Sequence, residues 1–542
     1  MTDLLALLSS QDLFPSLPEK DALPLAQQLS QIADMTVYWR SITAVHNALF
    51  FLGRNGMEGA PPGGKQLGIL YVNASCSLDE FDGDECGTIV RGRALNLRLC
   101  PTTYPNATAL HRAVPFTRPR TLGLETSAGC GDRLGLATPG HVRAIRKTVR
   151  QGAGLVDADT VCPIAPIFAQ QSIREMERTH RTPEDVVNDG TWGVFQEGWR
   201  QGYGADADHL KDTASIDSCV AAGFTFYTFD PRDHVDNAAH TDDLQTLKQK
   251  VKALPWQRLS DSQVAMRERY LRTFSIEGGY TVEFKEETLL RAAAKYGRAL
   301  AHVADLFGHL ARKMGSAPFE VEVSVDETDT TTSPEEHFFI AGELKRLGVE
   351  WVSLAPRYVG RFEKGVDYIG DLDFFEAEVA KHAAIARCCG PYKLSIHSGS
   401  DKFSIYPIIA RHTQGLVHLK TAGTSYLEAL RAIAGVDPQL FRDILDFAFE
   451  RYDTDKATYH VSADPSLAPR SRDLDDGDLT AVLDDFHARQ MLHVTFGSVL
   501  TTRDETGDLY FRNRLFAALR ADEEAYYRAL ETHFERHLEA FQ

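Results

Sequence analysis

One unit recurs along the middle of the chain: a short apolar segment, a polar loop rich in glycine, and then a helix-forming segment. Apolar segments that fit β-strands start near positions 121, 166, 203, 224, 319, 351, 392 and 416. Because eight alternating strand–helix units within about 310 residues are typical of a closed parallel barrel, we predict an α/β protein with a (β/α)8 TIM-like barrel. An open doubly wound sheet is the alternative, but no GxGxxG motif follows the first strand.

This pattern divides the chain into three parts. We predict an N-terminal cap region of unknown function at 1–118, a catalytic barrel at 119–435 and a mainly helical C-terminal extension at 436–542 that packs on the barrel. A polar insertion at about 240–315 suits an exterior layer of helices. The acidic run 78–85 (LDEFDGDE) is more typical of a solvated turn than of a metal site.

Charge and hydropathy exclude several classes of partner. The formal net charge of −18 argues against nucleic acid and anionic membranes, because both require a cationic face. No stretch of about 18 apolar residues and no secretion-signal pattern occurs, so we expect a cytoplasmic protein. The eight cysteines form no CxxC pair, so we expect reduced thiols and a metal site, if any, built from histidine and carboxylate. The sequence leaves the oligomeric state open.

Polar residues follow most of the predicted strands. The segment 319–327 alternates strictly, which puts Glu322, Ser324 and Asp326 on one face, as expected for the polar mouth of a barrel. Taken singly, an aspartate or lysine at such a position is more often a capping or ion-paired residue. The strand-end residues expected at this mouth are Asp132, Gln171, Asp208, His209, Asp230, Glu322, Asp326, Arg357, His397, Asp401, Lys402, His418 and Lys420.

The set as a whole favours a divalent-metal site. Three histidines at the ends of different strands, with carboxylates nearby, are the ligands that Zn, Ni, Co, Mn or Fe prefer. Arg357, Lys402 and Lys420 supply positive charge for an anionic substrate. His460, on an extended segment at 458–464, is a further candidate that could reach over the mouth. No GxSxG, P-loop or HExxH motif occurs in a convincing context, so hydrolase-triad and P-loop functions are excluded.

Seven motifs, in this order, resemble the tagaturonate epimerase family from about position 121 to the C-terminus. They are 130–135 (CGDRLG), 166–172 (PIFAQQS), 192–198 (WGVFQEG), 204–209 (GADADH), 323–328 (VSVDET), 396–403 (IHSGSDKF) and 418–426 (HLKTAGTSY). The resemblance implies a metal-dependent epimerase that interconverts D-tagaturonate and D-fructuronate in hexuronate catabolism. These small-molecule keto-hexuronates carry a carboxylate, which fits the cationic groups at the mouth.

The resemblance and the residue types together give each candidate an expected role. The carbon that is inverted lies β to the ketone, so we expect retro-aldol cleavage and re-addition, with Asp208 as the base and Glu322 as the opposing proton donor. We expect His209, His397 and His418 to bind the metal, with Asp326 as the competitor for the third position. The residues expected to contact the substrate are Asp132, Gln171, Arg357, Asp401, Lys402 and Lys420.

Two other functions fit parts of the pattern. A metal-dependent sugar isomerase or aldolase acting on a keto-sugar acid would use the same mouth. A non-catalytic sugar-binding barrel would bind its ligand without metal or turnover, and the concentration of ionisable groups at the strand ends argues against it.

Overall fold

A computed structural model of the chain describes residues 4–8, 17–55, 64–73, 78–152, 163–421 and 423–541. Met1, Thr2 and Asp3, Cys76, Cys162 and Ala422 lie outside these residues. No helix in the described ranges is both long and apolar enough to span a bilayer. The six described cysteines are free thiols.

The N-terminal part forms an antiparallel sheet flanked by helices. Its helices are α1 (Leu4–Leu7), α2 (Glu19–Ala33) and α3 (Tyr104–Ala113). Its strands are β1 (Met35–Val37), β2 (Thr43–Val45), β3 (Ala48–Asn55), β4 (Lys65–Tyr71), β5 (Asp84–Val90) and β6 (Arg93–Pro101). The sheet order is β1-β3-β4-β6-β5, with β2 paired to β3.

The next part of the chain contains the barrel. Its strands are β7 (Ser127–Gly129), β8 (Ala165–Ser172), β9 (Gly204–Leu210), β10 (Phe226–Phe229), β11 (Thr273–Ser275), β12 (Thr281–Glu283), β13 (Glu320–Ser324), β14 (Ser353–Ala355), β15 (Lys393–Ile396) and β16 (Val417–Lys420). Strands β11 and β12 form a separate hairpin. The other eight pair in parallel into a closed barrel. The predicted fold class is confirmed.

The first barrel strand is not where the sequence pattern predicted it. The apolar run that starts at Thr121 lies in a turn, and β7 begins six residues later, at Ser127. Gly123 adopts φ +60° in this turn, a conformation that a regular strand excludes. The amide of Leu122 donates to Glu320 Oε1 at 2.8 Å, and the Gly123 amide donates to the same oxygen. The run therefore closes the floor of the barrel beneath Glu320.

Helices surround the barrel and carry the capping residues expected at their first turns. They are α4 (Thr138–Gly152), α5 (Ile173–Thr179), α6 (Pro183–Glu197), α7 (Thr213–Ala222), α8 (Leu244–Lys252), α9 (Gln263–Tyr270), α10 (Glu286–Met314), α11 (Pro334–Arg346), α12 (Leu372–Cys389), α13 (Tyr406–Thr413) and α14 (Thr424–Val436). Capping boxes begin α5 at Ser172, α6 at Thr182 and α11 at Ser333. Ser172 is also the last residue of β8, so this cap turns the strand directly into a helix at the barrel mouth.

The C-terminal part is mainly helical. Its helices are α15 (Pro438–Asp455), α16 (Phe486–Val494), α17 (Phe496–Thr501), α18 (Arg512–Ala521) and α19 (Glu523–Leu538). Buried apolar residues of these helices share one cluster with β7, β8, α4 and α14. The extension therefore packs directly against one side of the barrel and reaches its mouth.

Candidate metal and substrate site at the barrel mouth

A bulge in β9 brings two consecutive side chains to the mouth. In a regular strand Asp208 and His209 would point to opposite faces. The register with β10 shifts between Tyr227 and Phe229, and His209 adopts φ +58°. This extra residue turns both side chains toward the mouth, where His209 Nδ1 lies 2.7 Å from Asp208 Oδ1. The backbone irregularity thus builds the carboxylate–imidazole pair.

The second imidazole of the site is paired in the same way. His397, the residue after β15, places Nε2 at 2.5 Å from Glu322 Oε1, a buried carboxylate of β13. Its other nitrogen, Nδ1, lies 3.2 Å from Asp326 Oδ1. Burial alone would lower the pKa of His397, but Asp326 and Glu322 raise it to about 10. Each imidazole therefore uses one nitrogen for a carboxylate that orients it.

The remaining nitrogens converge on Asp326. His209 Nε2 lies 4.0 Å from Asp326 Oδ1 and 3.7 Å from Glu327 Oε1, and it is buried without a hydrogen-bond partner among the described residues. A buried nitrogen with no partner is costly unless a ligand occupies it. Ligand atoms of Asp208, His209 and His397 also lie within 4.8 Å of one another. Since Asp208 already contacts the opposite nitrogen of His209, Asp326 is the better-placed carboxylate ligand. The donor set fits a divalent transition-metal ion.

Lys420 sits beneath these groups in a buried cluster of acids. Its Nζ lies 2.6 Å from Asp208 Oδ1, 2.9 Å from Asp206 Oδ2 and 3.0 Å from Glu322 Oε1. It also donates to Thr228 Oγ1 at 2.7 Å. Burial would lower the pKa of Lys420, but the three carboxylates hold it well above its usual value. Lys420 is therefore protonated at neutral pH.

The carboxylates of this cluster differ in pKa. Burial favours the neutral form of Asp208 and of Glu322, but their cationic neighbours, Lys420 among them, hold both pKa values well below normal. Burial has the larger effect on Asp206 and raises its pKa to about 6 despite Lys420. Asp208 and Glu322 are therefore ionised at neutral pH.

A cavity of about 220 Å³ opens above these groups. Its lining residues are Arg174, Arg232, Asp326, Glu327, Pro356, Arg357, Tyr358, Arg361, Phe362, Glu363, Lys364, His397, Ser398, Tyr459 and His460. A smaller space of about 40 Å³ shares Asp326, Lys364 and His397 with it and reaches Asp208 and Lys420. The two spaces together offer a site of the size of a small sugar acid, with many charged side chains in its lining.

Three of the predicted substrate-contacting residues have internal partners instead of lining either space. Lys402 Nζ donates to the carbonyls of Glu363 at 2.8 Å, Val366 at 2.5 Å and Ser400 at 3.0 Å. Asp132 accepts three backbone amide hydrogen bonds from its own loop, at 2.6 to 3.0 Å. Asp401 is held by Arg489 at 3.1 Å and by His533 at 2.9 Å.

Gln171 and His418 also lie away from the cavity. Gln171 Oε1 accepts from Arg181 at 2.7 Å. His418 Nδ1 lies 2.9 Å from Ser127 Oγ, and burial lowers the pKa of His418 to about 3. Since residues two apart on a strand are about 6.6 Å apart along it, His418 lies one inward-facing layer below Lys420, toward the floor of the barrel.

The loops and the C-terminal part supply cavity residues that the sequence pattern did not select. Arg174 follows the cap of α5, Arg232 follows β10, and Lys364 lies in the loop after β14. Tyr459 comes from the segment after α15, where Arg178 donates to its hydroxyl. His460, the candidate that the sequence offered on the same segment, also lines the cavity. Proximity to strand ends could have found Arg232. The same rule could have found Arg174, two residues after β8. Lys364 and Tyr459 reach the site only through tertiary packing.

The chain is similar to proteins of one kind throughout most of its length. A family model described as tagaturonate epimerase matches residues 38–541. The tagaturonate/fructuronate epimerase of Thermotoga maritima is 43% identical over 449 residues, which is 83% of this chain and 87% of that protein. Two crystal structures of a fructuronate-tagaturonate epimerase from Cohnella laeviribosi, one native and one with a single glycerol, superpose with TM-scores of 0.83 and 0.84. Both are 35% identical and cover 96% of this chain and 99% of theirs.

Proposed function

The chain belongs to the tagaturonate epimerase family and is an isomerase-class enzyme, and from this premise we propose that it interconverts D-tagaturonate and D-fructuronate in hexuronate catabolism with a divalent metal ion. The relatives from Thermotoga maritima and Cohnella laeviribosi are named for this pair of keto-hexuronates. The observation that carries the metal proposal is the arrangement around Asp326. Two imidazoles, each oriented by another carboxylate, turn their remaining nitrogens toward one acidic side chain.

We propose His209 Nε2, His397 Nδ1 and Asp326 as the metal ligands. Asp208 and Glu322 accept hydrogen bonds from the opposite nitrogens, which is the usual support for metal-bound histidines. A divalent cation held by these residues supplies a Lewis acid that stabilises negative charge on substrate oxygen. The donor types suit Zn, Ni, Co, Mn or Fe equally well. His418 is left out because it lies a layer deeper, against Ser127.

The position of the inverted carbon dictates the chemistry. This carbon is β to the ketone, so the carbonyl does not acidify its C–H bond, and simple enolisation would invert a different centre. Retro-aldol cleavage breaks the bond between the inverted carbon and the carbon next to the ketone. The electron pair of that bond moves into the ketone half. The inverted carbon and its deprotonated oxygen become an aldehyde. Rotation of the aldehyde and re-addition to its other face give the epimer.

Two neighbouring groups can manage the hydroxyl proton. Asp208 is ionised and lines the smaller space, which supports its role as the base that removes this proton. Glu322 is ionised in the same cluster and therefore has no proton to donate. Lys420, which also lines that space, is the better donor to the new alkoxide. Its contact of 2.6 Å with Asp208 allows the removed proton to return and restores both groups.

Incubation with D-tagaturonate tests the proposal. We expect D-fructuronate to accumulate to a constant ratio, followed by proton NMR, and the same ratio to be reached from the other side. A matched sample treated with chelator should show no conversion until a divalent metal is restored. Formation of an aldose, or net cleavage to three-carbon products, would instead favour a sugar isomerase or an aldolase. Binding without turnover in every metal tested would indicate a sugar-binding barrel.

A further inference from the structure

The cations that line the two spaces divide into two classes. Arg133 pairs with Glu175 at 2.7 Å, Arg174 with Glu327 at 3.0 Å and Arg361 with Glu363 at 3.3 Å. Arg232 pairs with Asp230 and Glu327, and Lys420 lies among the acids of the barrel interior. Lys364 and Arg357 have no carboxylate within ion-pair distance among the described residues. The site therefore has two positive charges that its own acids do not neutralise.

Lys364 is the more informative of the two. Its Nζ donates to Ser398 Oγ at 2.5 Å, and it is the cation without an ion pair that lines both spaces. Burial, reinforced by Arg174 and Arg133, lowers the pKa of Lys364 to about 8, although Glu175 and Asp326 oppose this shift from beyond ion-pair distance. Arg357 donates to the Asp326 carbonyl at 3.1 Å, so its charge is also left for a ligand in the larger space.

We propose that Lys364, assisted by Arg357, binds the carboxylate of the substrate and makes the site selective for keto-sugar acids over uncharged ketoses. This assignment rests on the proposed epimerase function and adds the residue that determines its substrate class. In the described part of the chain, Lys364 and Arg357 are the only cations at the mouth without an acidic partner. A substrate carboxylate placed between them would form an ion pair with both. Both side chains are half-buried, so the ion pair would be stronger than one on a fully exposed surface.

The assignment also orients the substrate. Arg357 lines the larger space, Asp208 and Lys420 line the smaller one, and Lys364 lines both. With its carboxylate at Arg357 and Lys364, a six-carbon chain extends past His397 toward Asp208. The carbon that is inverted then lies on the side of the base and its partner lysine. Binding of the carboxylate thus sets the position of the reacting carbon.

The test pairs each variant with two substrates that differ only in this charge. D-fructuronate and its carboxamide are compared in the wild type, Lys364→Met, Lys364→Gln and Lys364→Arg, with metal supplied throughout. Lys381→Met serves as control because Lys381 pairs with Glu378 on α12, away from the mouth. In the wild type we expect kcat/KM to favour the acid by about 30-fold or more. Lys364→Met and Lys364→Gln should reduce this preference to within about threefold, mainly through KM, and Lys364→Arg should restore most of it.

The outcomes separate this inference from the function on which it rests. If the wild type epimerises neither substrate, the proposed function itself is wrong. If the wild type is active and the preference for the acid persists in Lys364→Met and Lys364→Gln, Lys364 does not bind the carboxylate. Equal losses on acid and carboxamide would also overturn the inference, because they indicate structural damage. The ratio of the kcat/KM values for the two substrates remains measurable in a variant that is only partly folded.

Discussion

The loops after β14 and β15 each carry a lysine, half-buried in Lys364 and fully buried in Lys402, and the partners of the two ammonium groups differ. Lys402 Nζ is surrounded by three backbone carbonyls, from Glu363, Val366 and Ser400. Lys364 Nζ has a serine hydroxyl and an open cavity. Burial lowers the pKa of both, to about 7 for Lys402 and about 8 for Lys364. Burial alone therefore does not identify a binding residue; the number of donors left without acceptors does.

Lys402 joins the two loops to each other. Its acceptors lie on both loops, so it fixes the segment that carries Lys364 against the segment that carries His397 and Ser398. Arg489 of α16 adds a second connection, because it donates to the Gly365 carbonyl at 2.7 Å and pairs with Asp401. The C-terminal part thus supports the cavity from outside.

The group formed by Asp401, His533 and His537 belongs to this support. Its ligand atoms lie within 4.8 Å of one another, as in a metal site. However, His537 Nε2 accepts the amide of Asp401 at 3.0 Å, and Arg489 occupies the carboxylate. A lone pair in use and a neighbouring cation both oppose metal binding. The group anchors α19 to the loop after β15.

Removal of the metal should have the largest effect on activity, and it tests the proposed function of the cavity. We expect EDTA to abolish epimerisation and a divalent cation to restore it, because the open nitrogens of His209 and His397 face Asp326. Asp326→Asn should weaken metal affinity, measured by titration, much more than Asp208→Asn does. An enzyme indifferent to chelator would exclude a metal mechanism. Equal metal affinity in both variants would exclude Asp326 as a ligand.

Asp208→Asn should have the next largest effect on turnover. We expect kcat to fall by about 1000-fold, since a general base contributes about 100- to 10,000-fold. Metal content at saturating metal should change little, because the amide oxygen of the asparagine can still accept from His209 Nδ1. Thermal stability should also change little, because Lys420 keeps Asp206 and Glu322 as partners. Full activity in this variant would disprove the assignment of the base.

Lys402→Met tests whether Lys402 supports the two loops, and we expect it to lower the stability of the protein. We expect a loss of about 3 kcal/mol in the free energy of unfolding, because three buried carbonyls lose their donor. Urea denaturation measures this loss, with Lys381→Met as the control. If stability is unchanged and KM for D-fructuronate rises instead, Lys402 contacts the substrate, as the sequence analysis predicted.

The smallest expected effect is an absence of isotope exchange. During turnover in deuterium oxide, the hydrogen on the inverted carbon should stay, because cleavage breaks a carbon–carbon bond and leaves this C–H bond intact. NMR or mass spectrometry of the product measures the label. Deuterium at that carbon would favour direct proton exchange, with the bases of the cavity acting on carbon rather than on the hydroxyl.

The sequence alone determined the barrel and many residues of the candidate site. Eight apolar segments and intervening helices predict a closed parallel sheet, and the carboxyl ends of its strands must meet at one mouth. His209, His397, Asp208, Asp326 and Arg357 follow from that rule. The first strand was misplaced because Glu320 binds the apolar turn at the barrel floor, a contact between residues nearly 200 positions apart.

Only the tertiary structure decided which of these polar residues face the cavity. A β-bulge at His209 reverses the alternation that a sequence pattern assumes. Lys402 and Lys364 carry the same charge on neighbouring loops, and the positions of backbone carbonyls decide that the former is satisfied and the latter is left for a ligand. Periodicity specifies the direction of a side chain along a regular strand. It does not specify hydrogen-bond partners in loops, because these come from segments distant in the chain.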